Sequence, residues 1–400
     1  MSAVAKTAAV ASAAPRDART QTDDRTAPPD GHAAALGASR STIGRAAKYS
    51  LTVIQNRTGR VPARPSWCTF LVTYRCNARC KMCDSWRLKP GSELTSTQID
   101  EVFGKIGPLD VVRLTGGEPF LREDMTQIAR AVIARSAPLV LHVTTNGSFP
   151  DRVARFVDEL GPHEARTRLA FLVSFDGMPE EHDASRGEDV TFDRALDTVR
   201  LLAHRGVRVA VNHTVISKRS LEDNDALRRT LQPLGVDVHS VLAYSDSAMY
   251  SIKLRGKRAE HLIARSGYPL HPSLEGADVI GFVERELARV DELRARERVG
   301  KRYYLRGLLA RLRADPEPRP RPRCVALRSH LRLLPDGRVP VCQFNTETVG
   351  NLSSTSFVAT WRSHAADRAR AWVDACPGCW AECEVVPSAV YTGDVVRGAV

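Results

Sequence analysis

The chain has 400 residues, 43% hydrophobic and 26% charged, with a formal net charge of +12. That length admits a large core plus an appended unit, and no run is long and apolar enough to span a bilayer, so a membrane protein is excluded and a cytoplasmic location is expected. The positive charge leaves no nucleic-acid footprint: arginines are scattered over nearly every segment, lysine is scarce, and no basic stripe is interleaved with aromatics.

Residues 1–45 are rich in Ala, Ser, Thr, Arg and Asp, carry no apolar periodicity and read as a disordered segment. They lack the apolar stretch of a secretory signal and are too short and polar for a folded peptide-recognition domain. From Trp67 the pattern alternates. Strands are expected at 68–74, 111–115, 139–145, 169–175, 208–215 and 236–243, and helices near 95–106, 122–136, 150–160, 191–205 and 221–232. Thr95 and Gln98 form a capping box for the first helix, and Gly107-Pro108 stops it. Six strand-helix repeats with short connections predict right-handed crossovers and a parallel sheet, either doubly wound or a partial (β/α)6 TIM-type barrel over residues 60–312.

The barrel is favoured by where the unusual residues fall. Thr115-Gly116-Gly117-Glu118-Pro119 follows the second strand, Thr144-Thr145-Asn146-Gly147 ends the third, Ser174-Phe175-Asp176-Gly177 ends the fourth, and Asn212 and His213 lie towards the end of the fifth. Each alone is ordinary turn chemistry. Together they place polar and glycine-rich residues on one rim, the C-terminal face where barrels of this kind gather their working residues.

The first strand ends in a cysteine loop, Thr73-Tyr74-Arg75-Cys76-Asn77-Ala78-Arg79-Cys80-Lys81-Met82-Cys83-Asp84-Ser85-Trp86. Three cysteines spaced C-x3-C-x2-C can cap three irons of a [4Fe-4S] cube and leave the fourth open; zinc would need a fourth ligand from Asp84 or a distant histidine. Cys68, within the strand, reads as a small buried apolar residue. After the sixth strand come Tyr244, Ser245, Asp246, Ser247 and Tyr250, polar residues at the mouth, of which Asp246 or Tyr244 is the expected general base. Residues 276–297 read as a long charged helix, with a helical segment following to about Arg313. Residues 313–323 form a stiff Pro/Arg linker. Beyond it, over 324–390, lies a small Cys-rich domain built of a β-hairpin, turning at Asp336-Gly337 within Leu331–Cys342, plus a helix. It holds Cys324, Cys342, Cys376, Cys379 and Cys383. A zinc knuckle is the alternative for this group.

The early loop resembles the cluster loop of the radical S-adenosylmethionine (SAM) superfamily, with Met82 where that family usually has an aromatic residue, and with Trp86 next in line for the adenine contact. The Gly116-Gly117-Glu118 run resembles the family motif that holds the SAM amino group. Ser174 and Asp176 resemble its ribose and methionine contacts, Arg186 in the Ser185-Arg186-Gly187 loop resembles the arginine that pairs with the SAM carboxylate, and Asn146 and Asn212 resemble polar cofactor positions. The spacing from Cys324 to Gly337 to Cys342, then Cys376-x2-Cys379-x3-Cys383, resembles the SPASM auxiliary-cluster domain. Five cysteines rather than seven imply one auxiliary [4Fe-4S] cluster, as in the shortened Twitch variant, with one thiol to spare.

The resemblance implies an enzyme that cleaves SAM reductively, fed by an electron donor such as flavodoxin or ferredoxin, and oxidises or rearranges a small metabolite such as a cyclitol or sugar in natural-product biosynthesis. The alternative is radical modification of a ribosomally made peptide, against which stand the cysteine count and the lack of a folded domain before Trp67. Carbon-skeleton or methyl chemistry on a lipid or nucleotide has no residue in its favour. A non-enzymatic zinc-stapled binding protein is the reading from a different class.

Overall fold

Apolar and β-branched residues at every second position leave each of the expected strands with one face for a helical layer and one for a lumen. A computed structural model describes residues 42–89, 91–187, 191–246, 249–293 and 295–397. β1 (Trp67–Thr73), β2 (Val111–Gly116), β3 (Val140–Thr145), β4 (Leu169–Phe175), β5 (Arg208–Val215) and β6 (Asp237–Leu242) lie within a residue or so of the expected bounds. A seventh strand, β7 (His330–Leu333), pairs with the outer edge of β1, giving the order β6-β5-β4-β3-β2-β1-β7 with all neighbours parallel. The fold is α/β, a partial barrel with a small cysteine-rich C-terminal region.

Helices Ser96–Ile106, Met125–Ser136, Pro150–Leu160, Phe192–His204 and Lys218–Leu231 cover the outer face. The first starts where expected: the Thr95 hydroxyl accepts from Gln98 N, and Gln98 Oε1 accepts from Thr95 N at 3.0 Å. Phe70, Phe103, Phe120, Phe156 and Phe171 are buried in one cluster between sheet and helices. Truncating any of them to Ala would cost about 3–5 kcal/mol.

Local patterning fails where distant contacts decide. A helix at Thr42–Arg57 begins inside the segment expected to lack structure, while residues 1–41 lie outside the described residues. It is pinned from afar: Asn56 Nδ2 donates to Tyr391 O at 2.8 Å and Arg57 Nε to Thr392 O at 2.6 Å. The expected helix at 276–297 ends at Ala288, turns through Arg289–Glu292 and resumes as Ala295–Leu312. The expected C-terminal hairpin is rearranged. Its turn is present, with Gly337 at φ +84°. Its first arm is β7, buried along its whole length and therefore taken into the barrel sheet, whereas its second arm, β8 (Arg338–Pro340), pairs antiparallel with β9 (Thr348–Asn351). Helices Phe357–Trp361, His364–Ala375 and Glu382–Tyr391 complete this region.

Candidate active site

The cysteine loop is clamped from two sides. Gly117 N donates to Thr73 O and Glu118 N to Arg75 O, both at 2.8 Å. A Cβ on Gly116 would stand 2.3 Å from Thr73 O, and one on Gly117 2.2 Å from Arg75 O. The close approach that the glycine pair permits is thus to the backbone of the cysteine loop. On the other side, Arg79 N donates to Arg186 O at 2.7 Å and Lys81 N to Ser185 O at 3.2 Å. Arg186 sits at the end of a helix, Pro179–Arg186, where the sequence suggested a loop.

Cys76, Cys80 and Cys83 are half-buried on this loop, and Ser85 N donates to Cys83 Sγ at 3.4 Å. Burial pushes the thiols of Cys76 and Cys83 up to about 12. They need a strong local cation to ionise, which the irons of a cluster would provide. Among the described residues no three His, Cys, Asp or Glu side chains close around a single ion. A cube makes no such demand, since each thiolate holds its own iron.

The structure places Glu118 inside the rim. Its side chain is sealed from solvent; Oε1 accepts from Phe120 N at 2.9 Å and Thr145 Oγ1 at 2.8 Å, and Oε2 from Asn146 N at 2.7 Å. Burial pushes its carboxyl up to about 7, against those donors. Asn146 also faces inward, donating from Nδ2 to Asn77 Oδ1 at 2.9 Å, so it ties β3 to the cysteine loop. Asp176 accepts from Arg186 Nη2 at 2.5 Å and from Ser185 Oγ at 2.8 Å. The two residues expected to touch SAM separately therefore bind each other, while Arg186 Nε is buried without a partner. Ser174 and Asn212 are in register on β4 and β5, and both are half-buried.

A chamber of about 320 Å³ opens at this end of the barrel. Thr115, Thr144 and Asn212 of the rim line it, together with Met82 of the cysteine loop and Asp246 and Tyr244 after β6. The Tyr244 ring packs 4.7 Å from Tyr268 and 5.3 Å from Phe344. Burial raises its phenol well above the ordinary value, so the expected base is held protonated and is suited to donating a hydrogen bond. Asp246 is the other expected base on the chamber wall. Ser247 lies outside the described residues. Trp86 is absent from the wall, and the Arg87 guanidinium covers its ring at 4.4 Å. Sequence reasoning missed Arg113, Tyr268, Tyr304 and Arg332, all chamber residues. Arg113 left a signal, a charge between Val112 and Leu114 on a buried strand.

The late cysteines divide between two cavities. Cys324, Cys342, Cys376 and Cys379 line one of about 260 Å³, whereas Cys383 lines the barrel chamber. Asn345 N donates to Cys342 Sγ at 3.3 Å, and Trp380 and Phe344 make the wall apolar, so four thiols with an amide donor suit an iron-sulfur cluster. Trp380, next to Cys379, is seated by its Nε1 bond to Tyr304 O at 2.9 Å and by Gly307, where a Cβ would stand 2.0 Å from the indole. Glu384 lies between the cavities. It accepts from Arg332 Nε and Gln343 N at 2.8 Å each and pairs with His330 Nδ1 at 3.2 Å. Burial would raise its carboxyl, yet the Arg332 guanidinium and His330 hold it down to about 2.

Two family profiles match this arrangement, the radical SAM superfamily over residues 70–231 and the SPASM iron-sulfur cluster-binding domain over residues 324–383. The chain belongs to the radical SAM superfamily. For a radical SAM chain the cofactors are SAM with its [4Fe-4S] cluster, and the SPASM region brings auxiliary iron-sulfur binding. The chain is 32% identical over 210 residues to pre-heme d1 synthase of Dinoroseobacter shibae, covering 50% of this chain and 48% of that one. It is 28% identical over 182 residues to GTP 3',8-cyclase of Aquifex aeolicus, covering 42% and 54%. It is 28% identical over 169 residues to the sporulation killing factor maturation protein SkfB of Bacillus subtilis, covering 41% and 39%. These matches span about half the length of the relatives, or less. Among solved structures, anSMEcpe with bound AdoMet superposes with a TM-score of 0.56 at 14% identity, covering 84% of this chain and 92% of that one. SuiB of Streptococcus suis bound to S-adenosylmethionine gives 0.53 at 14%, covering 80% and 70%. At such identities the likeness is one of fold. Among the described residues no helix is long and apolar enough to cross a membrane.

Proposed function

We propose that this radical SAM chain removes a hydrogen atom from a carbon of a small metabolite, such as a cyclitol or sugar alcohol in natural-product biosynthesis, with net oxidation or rearrangement. The observation that carries this reading is the placement of the chamber, walled by Met82 of the cysteine loop and by Glu382 and Cys383 of the auxiliary region. A cavity of its size suits a small ligand.

When bound, the cluster and SAM supply a 5'-deoxyadenosyl radical after a one-electron reduction, with flavodoxin or ferredoxin as the donor class. The chain's residues hold and aim. Cys76, Cys80 and Cys83 grip the cube, and Gly116 and Gly117 fix the loop that carries them. Glu118, Asn146, Asp176 and Arg186 brace that loop and give the SAM site its charge, with Ser174 and Asn212 on its lumen side. Met82 and the ring of Tyr244 exclude water and limit how the substrate can sit. Asp246 accepts the proton that an oxidation releases. Cys324, Cys342, Cys376 and Cys379 would hold the auxiliary cluster, whose chemistry is to accept the one electron that such an oxidation leaves over.

Radical modification of a ribosomally made peptide is the second reading, supported by the likeness to SkfB, a maturation protein. The experiment that separates the two uses the anaerobically reconstituted protein with dithionite and SAM, offered polyol panels or peptide panels. On the first reading a polyol raises 5'-deoxyadenosine release above the uncoupled rate. Stimulation by peptides alone would replace it with the second.

A further inference from the structure

The chamber has a basic wall that the radical chemistry itself does not call for. Thr69 of β1 is in register with Arg113 of β2 on one side and with Arg332 of β7 on the other, so two arginines flank it in one row across the sheet. With strands about 4.8 Å apart, their Cα atoms stand about 10 Å from each other, within reach of one shared group between the two long side chains. Both line the chamber. Arg113 Nε and Arg332 Nη2 are each buried without a hydrogen-bond partner. Among the described residues the one carboxylate bonded to this pair is Glu384, which takes Arg332 Nε and is also occupied by Gln343 N and His330. Among the described residues Arg113 packs on the Trp67 ring, 5.8 Å from its guanidinium carbon, and both arginines also face the Cys383 thiol, a weak acceptor that leaves a stronger one unsupplied. The other carboxylates of the chamber belong to different elements: Glu382 acts on His239 and Lys301, and Asp246 follows β6.

A guanidinium sealed in a protein with donors unspent is costly unless an acceptor arrives. Planar donors on two neighbouring strands suit the oxygens of an oxyanion. We infer that Arg113 and Arg332 form an oxyanion subsite, and that the substrate of this chamber carries a carboxylate or phosphate placed against the β7-β1-β2 wall. Tyr244 and Tyr268, which also line the chamber, offer rings to the substrate's apolar part. The inference rests on the chamber being the substrate site of a radical SAM enzyme and adds the chemical class of what enters it.

Isothermal titration of the anaerobically reconstituted, SAM-loaded full chain tests it with three probes: benzoate, phenyl phosphate and neutral benzyl alcohol. At least one anion should bind saturably, one per chain, and about tenfold or more tighter than benzyl alcohol. The tighter anion assigns carboxylate or phosphate. Arg113→Gln, checked by iron content and circular dichroism, should weaken that anion about tenfold, which corresponds to about 1.4 kcal/mol. Equal binding of benzyl alcohol, absence of saturable binding, or full affinity in a folded Arg113→Gln protein would overturn the subsite. The charged-against-neutral comparison needs no variant, so it decides the matter even if Arg113→Gln does not fold. SAM cleavage by the same wild-type sample reports separately on the underlying reading: cleavage without anion binding sinks only the subsite, and anion binding without cleavage sinks only the radical function.

Discussion

Arg186 donates to Asp176 across 2.5 Å with both side chains sealed from solvent. The pair does more than neutralise itself. Ser185 and Arg186 present their carbonyls to Lys81 and Arg79 of the cysteine loop, so the ion pair fixes the helix end on which that loop rests. A buried pair gains little over a packed apolar one, but losing one partner strands a charge. Asp176→Ala is therefore expected to cost about 3–5 kcal/mol in urea unfolding of the anaerobic protein. Asp176→Asn, which keeps an acceptor for Ser185, should lose less. Unchanged stability in Asp176→Ala would show that the arginine finds another partner.

The glycine clamp gives a second expectation. In Gly117→Ala the new methyl meets Arg75 O, a backbone atom that cannot swing aside. The cysteine loop must shift, and the reconstituted variant should hold about half the wild-type iron, the auxiliary share surviving. Full iron with normal SAM cleavage would mean that the loop tolerates the shift.

Among the late cysteines, the proposed cluster ligands and Cys383 line different cavities. Cys342 shares its cavity with Cys324, Cys376 and Cys379, while Cys383 faces the chamber. Cys342→Ala should lose about half the iron and its visible absorption, and Cys383→Ala should keep both. The reverse pattern would put Cys383 on the cluster.

Glu118 should leave a mark on stability against pH. Its ordinary value of 4.5 is pushed up to about 7 by burial, so the folded protein binds this proton more tightly than the unfolded chain. Its stabilising contribution is complete below about 4.5 and is lost as pH rises through about 7, a change of at most roughly 3 kcal/mol. In SAM-free protein the wild type should lose stability relative to Glu118→Gln across that interval. Parallel profiles for the two proteins would place Glu118 in a wetter setting than the structure gives it.

The features legible in the sequence are those set by neighbours along the chain. The alternation within β1 to β6 and the turn residues at their ends placed the strands and the rim, and the spacing of Cys76, Cys80 and Cys83 placed the loop. Pairings across long separations were not legible. β7 joins β1 from some 260 residues away, which turns a hairpin arm into a barrel strand and brings Arg332 level with Arg113. The protein partners of the motif residues were not legible either: Glu118, Asn146 and Asp176 bond to protein groups, because a buried carboxylate or amide must satisfy its hydrogen bonds wherever donors and acceptors lie. Which late cysteine stands apart depends on where the helix Glu382–Tyr391 begins, and spacing carries no direction.

The central claim is that one chain holds a SAM-cleaving cluster and an auxiliary cluster around a substrate chamber. It is tested most directly by iron and sulfide analysis of protein purified and reconstituted without oxygen, followed by dithionite, SAM and a search for 5'-deoxyadenosine. The expected result is about eight irons per chain with SAM cleavage. A colourless zinc protein that leaves SAM intact would contradict the account.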